Sequence, residues 1–254
     1  MKMTLLEIVQ DILNDLDSDA VNSIDDTVES QQVAQIVKST YFALLSNRNW
    51  EFTKELISLI PSIDLSKPTH MKLQDNCNEL VFVNYDNADA PEDGIKYREA
   101  KWLSPDAFIR KTNQRRSTED NILVIDDYTG VKLLIRNDKQ PEYYTSFNDE
   151  YIVFDSYNSD VDSTMQESKV QAFGYTHKEW RALDEFIPDM PDNAFTLLLE
   201  KAKSRASLKL RQVFDQLAER EVSKQERFLS QNQQRIGDWD LYPVAYGRKR
   251  NRGF

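Results

Sequence analysis

One cysteine, two histidines and six glycines among 254 residues exclude several chemistries before any pattern is read. Cys77 has no partner with which to form an internal disulfide. With only His70 and His177 beside it, a cluster of thiolate and imidazole metal ligands cannot be assembled, so neither a zinc site nor a redox dithiol is expected. No Gly-x-Ser-x-Gly and no Gly-Lys-Ser/Thr occurs, so neither a nucleophile elbow nor a phosphate-cradling loop is indicated, and no cofactor is expected. No apolar run approaches the roughly eighteen residues a membrane helix needs. The opening Met-Lys-Met-Thr-Leu-Leu-Glu turns acidic before a signal-peptide core could form, and the expectation is an intracellular soluble protein without a membrane partner.

Positive charge is also scarce: 32 Lys and Arg stand against 43 Asp and Glu, a formal net charge of −11. Such a balance opposes a general affinity for nucleic acid, which needs cations gathered on one face. The distribution is polarised. Eight acids (Glu7, Asp11, Asp15, Asp17, Asp19, Asp25, Asp26, Glu29) face Lys2 in residues 1–30, a sum of −7, whereas Arg248, Lys249, Arg250 and Arg252 give residues 248–254 a charge of +4. Opposite ends of this kind suit association of identical subunits or docking on an acidic partner; a solvated tail is the plain alternative.

Hydrophobic content of 40% with 30% charge is that of a folded chain, and its periodicity changes twice. Thr4-Leu-Leu-Glu7 reads as a capping box opening a helix on Leu5, Ile8, Val9, Ile12, Leu13 and Leu16. Asp25 or Asp26 caps a second helix on Val33, Ile36, Val37, Tyr41 and Leu45. From Trp50 to about Gln171 the pattern becomes short branched and aromatic stretches at 79–85, 121–125, 131–136, 142–145 and 151–154, an antiparallel meander with turns at 126–130 and 146–149. Ser104-Pro105-Asp106 predicts a short helix over 105–113 within it. A further strand is expected near 167–175 and a short helix over 177–186 with Trp180, Leu183 and Phe186 inward.

After Pro188 and Pro191, Phe195, Leu199, Ala202, Ala206, Leu210, Val213 and Leu217 step by four and three. They predict one helix from about 193 to 235, roughly 60 Å long, whose polar far end outruns any core this chain can supply. The expected class is α+β: a helical bundle, made of the N-terminal helix pair and the long C-terminal helix, with an inserted antiparallel β region. Its divisions are 1–49, 50–176, 177–235 and a tail at 236–254.

Tests for catalytic constellations return little. Asn158, Asp160 and Asp162 alternate as calcium ligands do, but Ser163 and Lys169 stand where an EF-hand needs glycine and glutamate, and a turn held by its own Asx side chains is the simpler reading. No carboxylate pair is singled out for glycoside hydrolysis. The basic tail touches nucleic acid at most weakly; preceded by Trp239, Leu241, Tyr242, Pro243 and Tyr246, it fits a protein groove better.

Taken in order, several stretches resemble the head-to-tail adaptor proteins of tailed bacteriophages, the connector or tail tubular protein A of short-tailed phages. They are Val21-Asn-Ser-Ile-Asp-Asp-Thr-Val-Glu29 with Gln31-Gln-Val-Ala-Gln-Ile-Val37, the segment from Tyr41 to Trp50, and Leu133 onward through Arg136-Asn-Asp-Lys-Gln-Pro-Glu142 to Tyr157. Ile187-Pro-Asp-Met-Pro191 and the closing Tyr246-Gly-Arg-Lys-Arg250 complete the set. None is a catalytic motif, and the resemblance lies in their number and order over nearly the whole chain. It implies a virion protein, made in the host cytoplasm, that sits at the head-tail junction as a homo-oligomeric ring, commonly of twelve copies. Such a ring binds the portal protein above and a tail or nozzle protein below, and the genome passes through its channel during packaging and ejection without specific binding.

Carried to this sequence, the resemblance places portal binding on Trp239, Tyr242, Tyr246, Arg248, Lys249, Arg250 and Arg252, and implies no enzymatic activity. A net negative channel wall would repel a sliding phosphate backbone. The alternatives are a tail-associated cell-wall hydrolase and a nucleic-acid-binding regulator.

Overall fold

The computed structural model describes residues 2–88, 94–213 and 216–241, the last with backbone alone at 216–218 and 232–241. The chain divides into two compact units, residues 1–52 with 178–254 and residues 53–177.

The first unit is helical. Helix α1 (Leu5–Asp15) opens on the expected box: Thr4 Oγ1 accepts from Glu7 N at 3.2 Å and Glu7 Oε2 accepts from Thr4 N at 2.7 Å. Helix α2 (Val28–Ser46) is capped by Thr27 and not by either aspartate. The reason is local, since Asp26 Oδ2 accepts from the amides of Asn22 and Ser23 at 2.7 and 2.9 Å and is used up closing the preceding turn.

Residues 177–186 do not form the expected helix. Trp180 and Phe186 pack inward, with ring centroids 4.9 Å apart, but Leu183 is exposed. The irregular course, closed by a turn between Leu183 and Phe186, leaves the carbonyls of Phe186 and Asp184 free to accept from the amides of Leu5 and Leu6, at 2.7 and 3.1 Å. Those N-terminal amides of α1 have no partner within their own helix.

The expected single long helix is also corrected. Helix α4 (Asp192–Ala206) ends in a π turn over Ser207–Arg211, Gln212 takes the left-handed conformation (φ 57, ψ 22), and helix α5 (Gln216–Leu241) returns antiparallel along α4. Glu219 Oε1 accepts from Ser204 Oγ at 2.7 Å, and Lys201 Nζ lies 2.6 Å from Glu226 Oε1. A straight helix would leave Val222 and Leu229 in water; folded back, both are buried against Tyr41, Leu44, Leu197 and Leu198. Each burial is worth about 1.5–3 kcal/mol, against about 1–2 kcal/mol for one left-handed residue, so the reversal is favoured.

Helix α4 presents two faces. Phe195, Ala202 and Ala206 pack with Ile8, Ile12, Val33 and Val37 of α1 and α2, while Ala194, Leu197 and Leu198 join the core that holds α5.

In the second unit an eight-stranded sheet curls into a half-barrel. Its strands are β1 (Lys54–Ile57), β2 (Ile60–Pro61), β3 (His70–Lys72), β4 (Cys77–Asp86), β5 (Tyr97–Trp102), β8 (Tyr143–Ser146), β9 (Tyr151–Phe154) and β10 (Val170–Thr176). The order is β1-β10-β4-β5-β8-β9-β3-β2, while β6 (Ile122–Asp126) and β7 (Lys132–Arg136) form a separate hairpin and α3 (Pro105–Thr112) follows Ser104 as predicted.

The sheet is not a meander. Strand β10 enters between β1 and β4, and β5 pairs parallel with β8. The cross-strand row Ile57, Ala172, Val83 and Ala100 is buried throughout, whereas the next row, Leu56, Phe173 and Phe82, turns outward. A helical bundle with an inserted antiparallel β region is therefore the wrong class. Among the described residues the protein is mixed α/β, with five helices and this large curled sheet. The parallel pair joins residues some forty apart in sequence, through no local signal that alternation could reveal.

Candidate interaction surfaces

The expected portal-binding residues fall almost wholly outside what is described. Trp239 lies near the end of α5 on described backbone, and Tyr242, Tyr246, Arg248, Lys249, Arg250 and Arg252 lie beyond the described residues.

Two polar constellations occupy the interior of the second unit. His70, at the start of β3, is 1% exposed, and its Nε2 lies 2.9 Å from Oδ1 of Asp127, itself 6% exposed in the β6–β7 turn. The other carboxylate oxygen of Asp127 accepts from Thr129 N and Thr129 Oγ1, at 2.8 and 2.5 Å. Burial lowers the His70 pKa despite the neighbouring carboxylate, keeping the ring neutral near pH 7. For Asp127 burial alone would raise the pKa, but the Thr129 and His70 hydrogen bonds outweigh it and hold the carboxyl below its usual range.

The pair has the base-and-orienter form of a catalytic triad, yet among the described residues no nucleophile meets it: Thr129 bonds the carboxylate, and His70 Nδ1 is buried without a partner there. Its role here is to pin the β6–β7 turn to β3. The second constellation does the same for α3. Arg115 donates to Leu134 O, Asp155 O and Asp155 Oδ2 at 2.9, 2.6 and 2.6 Å, and Asp155 Oδ1 accepts from Glu142 N and Tyr143 N at 3.1 and 2.9 Å. The buried carboxylate thus holds the start of β8 to the end of β9, and Arg115 carries the link to the Leu134 carbonyl of β7.

The segment read as a failed calcium loop is a turn. Asn158 Oδ1 accepts from Asp160 N at 3.1 Å, and Asp162 pairs with Lys169. Among the described residues no group of three or more acidic, histidine or cysteine side chains is placed to hold an ion.

What remains is surface. A cleft of about 620 Å³ opens between β4, β5, β8 and β9, lined by Leu73, Leu80, Val81, Trp102, Tyr144 and Ile152, with Cys77 in its wall. Burial pushes the Cys77 thiol up from its ordinary pKa, so it is not an activated nucleophile. Between β2 and β3, Ile63 (99% exposed) and Leu65 stand in solvent.

On α5, Arg220, Lys224, Arg227 and Gln231 follow one another at helical spacing on the face opposite Val222 and Leu229, with Phe228 exposed beside them. By residue type alone this stretch is a polar thinning of the apolar stripe. The spacing of four, three and four was the available signal, and it became legible once Val222 and Leu229 were known to face inward.

No family model matches this chain, and no curated protein matches it in sequence.

Proposed function

We propose that this protein is a structural coupling of a tailed bacteriophage: a ring-forming head-to-tail adaptor that joins the portal to the tail and continues the channel through which the genome moves. The observation that carries the reading is the ordered series of adaptor-like stretches from Val21 to Arg250. Several of them also build the joints of the fold. Val21 and Ile24 are buried ahead of the Thr27 cap, Met190 is buried ahead of Pro191 at the start of α4, and Asp155 anchors the strand ends.

The net charge of −11 agrees with a channel that does not retain DNA. The two carboxylates buried deepest, Asp127 and Asp155, are occupied in holding loops, which supports a role without a reaction centre. The portal-facing element is the end of the chain from 231 to 254, where the aromatic residues precede the basic run.

Electron microscopy of the protein mixed with the portal of its own phage tests this. A ring seated on the portal vertex is expected, lost when residues 231–254 are removed; a portal that gains no added density refutes it. A zymogram on host cell wall separates the hydrolase alternative, since clearing would overturn the structural role.

A further inference from the structure

We propose that the outward face of α5 is a subunit contact, and that its occupant is the acidic connection between α1 and α2 of a second copy of this chain. The inference rests on the ring reading above and names the contact that would build the ring.

Charge on the two surfaces is complementary. Arg220, Lys224 and Arg227 form a cationic stripe on a chain that is strongly acidic as a whole. Arg220 and Arg227 make no ion pair among the described residues, and Lys224 reaches only Glu221, at 3.5 Å. Phe228, 52% exposed, places an aromatic ring next to the stripe, which is the composition of an interface anchor flanked by arginines.

The acidic surface is equally unbalanced. Its inner carboxylates are neutralised within the chain: Lys203 lies 2.8 and 2.7 Å from Asp11 and Asp15, and Arg211 lies 3.5 Å from Glu29. Asp17, Asp19 and Asp25 remain exposed without an ion pair among the described residues, while Asp26 is held by the Asn22 and Ser23 amides. Among the described residues no ion pair joins these carboxylates to the α5 stripe, so the two surfaces stay available for each other between chains.

The arrangement within the unit fixes the kind of assembly. Helix α4 packs on α1 and α2 through Phe195, Ala202 and Ala206 and on α5 through Leu197 and Leu198. The cationic stripe lies on the side of α5 opposite Val222 and Leu229, and the acidic connection lies beside Arg211, which donates to Leu16 O and Ser18 Oγ, so the two are unlike patches of one subunit. Contact between unlike patches is heterologous, and its repetition closes a ring when the rotation allows. Duplex DNA is the other polyanion that a cationic helix face fits, but the net charge of −11 opposes its approach, whereas a second copy brings the matching surface with it.

Charge exchange in the full-length chain tests the contact by sedimentation. The wild-type chain is expected to self-associate at low salt and to dissociate as salt rises. R220E/K224E/R227E and, separately, D17K/D19K/D25K should each weaken self-association about tenfold or more, as expected for several exposed pairs at once. An equimolar mixture of the two variants, or a chain carrying both sets, should recover it. Circular dichroism matching the wild type establishes that each variant is folded.

Association unchanged by either reversal, no recovery in the mixture, or a wild-type chain that stays monomeric at low salt would overturn the contact. So would a DNA-mobility shift abolished by R220E/K224E/R227E while self-association persists, which would assign the stripe to nucleic acid. Rings that form on the portal from the charge-reversed chain would refute this contact and leave the adaptor role standing. Self-association without portal binding would do the opposite.

Discussion

Lys201 on α4 and Glu226 on α5 hold each other at 2.6 Å across the helical hairpin, although twenty-five positions separate them in sequence. A continuous helix would set them nearly 40 Å apart at about 1.5 Å per residue, so this pair reports the reversal at Gln212 directly. The pair is partly exposed and contributes little by itself. The reversal is stabilised by the apolar side chains beneath it.

Leu229→Ala should therefore destabilise the protein by about 2–5 kcal/mol, the cost of an emptied core site, while Phe228→Ala, one position away on the outward face, stays within about 0.5 kcal/mol of wild type. Urea unfolding of the two variants side by side checks this. Equal and small effects would mean that α5 is not folded back on α4.

Replacing Gln212 with glycine should stabilise the helical unit by about 1 kcal/mol, because its φ of 57° costs an L-residue what glycine does not incur. A rise in the denaturation midpoint is the expected reading, and a fall would show that the glutamine side chain supports the turn.

Acidification should weaken the second unit in two steps. His70 has a folded pKa below its ordinary 6.5, so the stability tied to its neutral form is present above that value and is lost as the pH falls through the folded pKa. Protonation would add an N–H at Nδ1, where no acceptor waits among the described residues. Asp127, also lowered, adds a second loss below the ordinary carboxylate value of 3.8. Denaturant midpoints at about pH 7.5 and about pH 5 should differ for the wild type and converge in His70→Gln, which cannot titrate in that window.

Arg115→Ala should cost about 3–5 kcal/mol, since it leaves Asp155 buried without its cation. Adding Asp155→Asn to that variant should recover part of the loss, the amide oxygen still accepting from the Glu142 and Tyr143 amides. Thermal unfolding of the single and double variants provides the comparison.

Elements whose cause is local were legible in the sequence. The Thr4 box, the Ser104-Pro105 start of α3 and the strands around Val83, Ile135 and Val153 all carry their signal within a few residues. Features decided by distant partners were not. Strands β1, β2 and β3 are too short to show alternation, and they exist because longer neighbours or one another complete their hydrogen bonding. Residues 178–186 stay out of a helix, with the Phe186 and Asp184 carbonyls turned to the first amides of α1.

The reversal after α4 was hidden for a different reason. No glycine, proline or asparagine occurs between Ser207 and Asp215, and only the burial of Val222 and Leu229 makes a left-handed glutamine tolerable. Of the candidate surfaces, the cationic stripe depended on knowing which side of α5 faces in. The aromatic and basic tail was conspicuous from its residue types alone.

The chain enters the sheet unit on β1 and leaves it on β10, and these strands are hydrogen-bonded neighbours, with Lys54 opposite Tyr175 and Thr176 Oγ1 donating to Thr53 O at 3.1 Å. Entrance and exit are thus a single doorway. Because Thr53 and Thr176 already meet, a hairpin of a few residues would span the gap that the whole half-barrel now bridges.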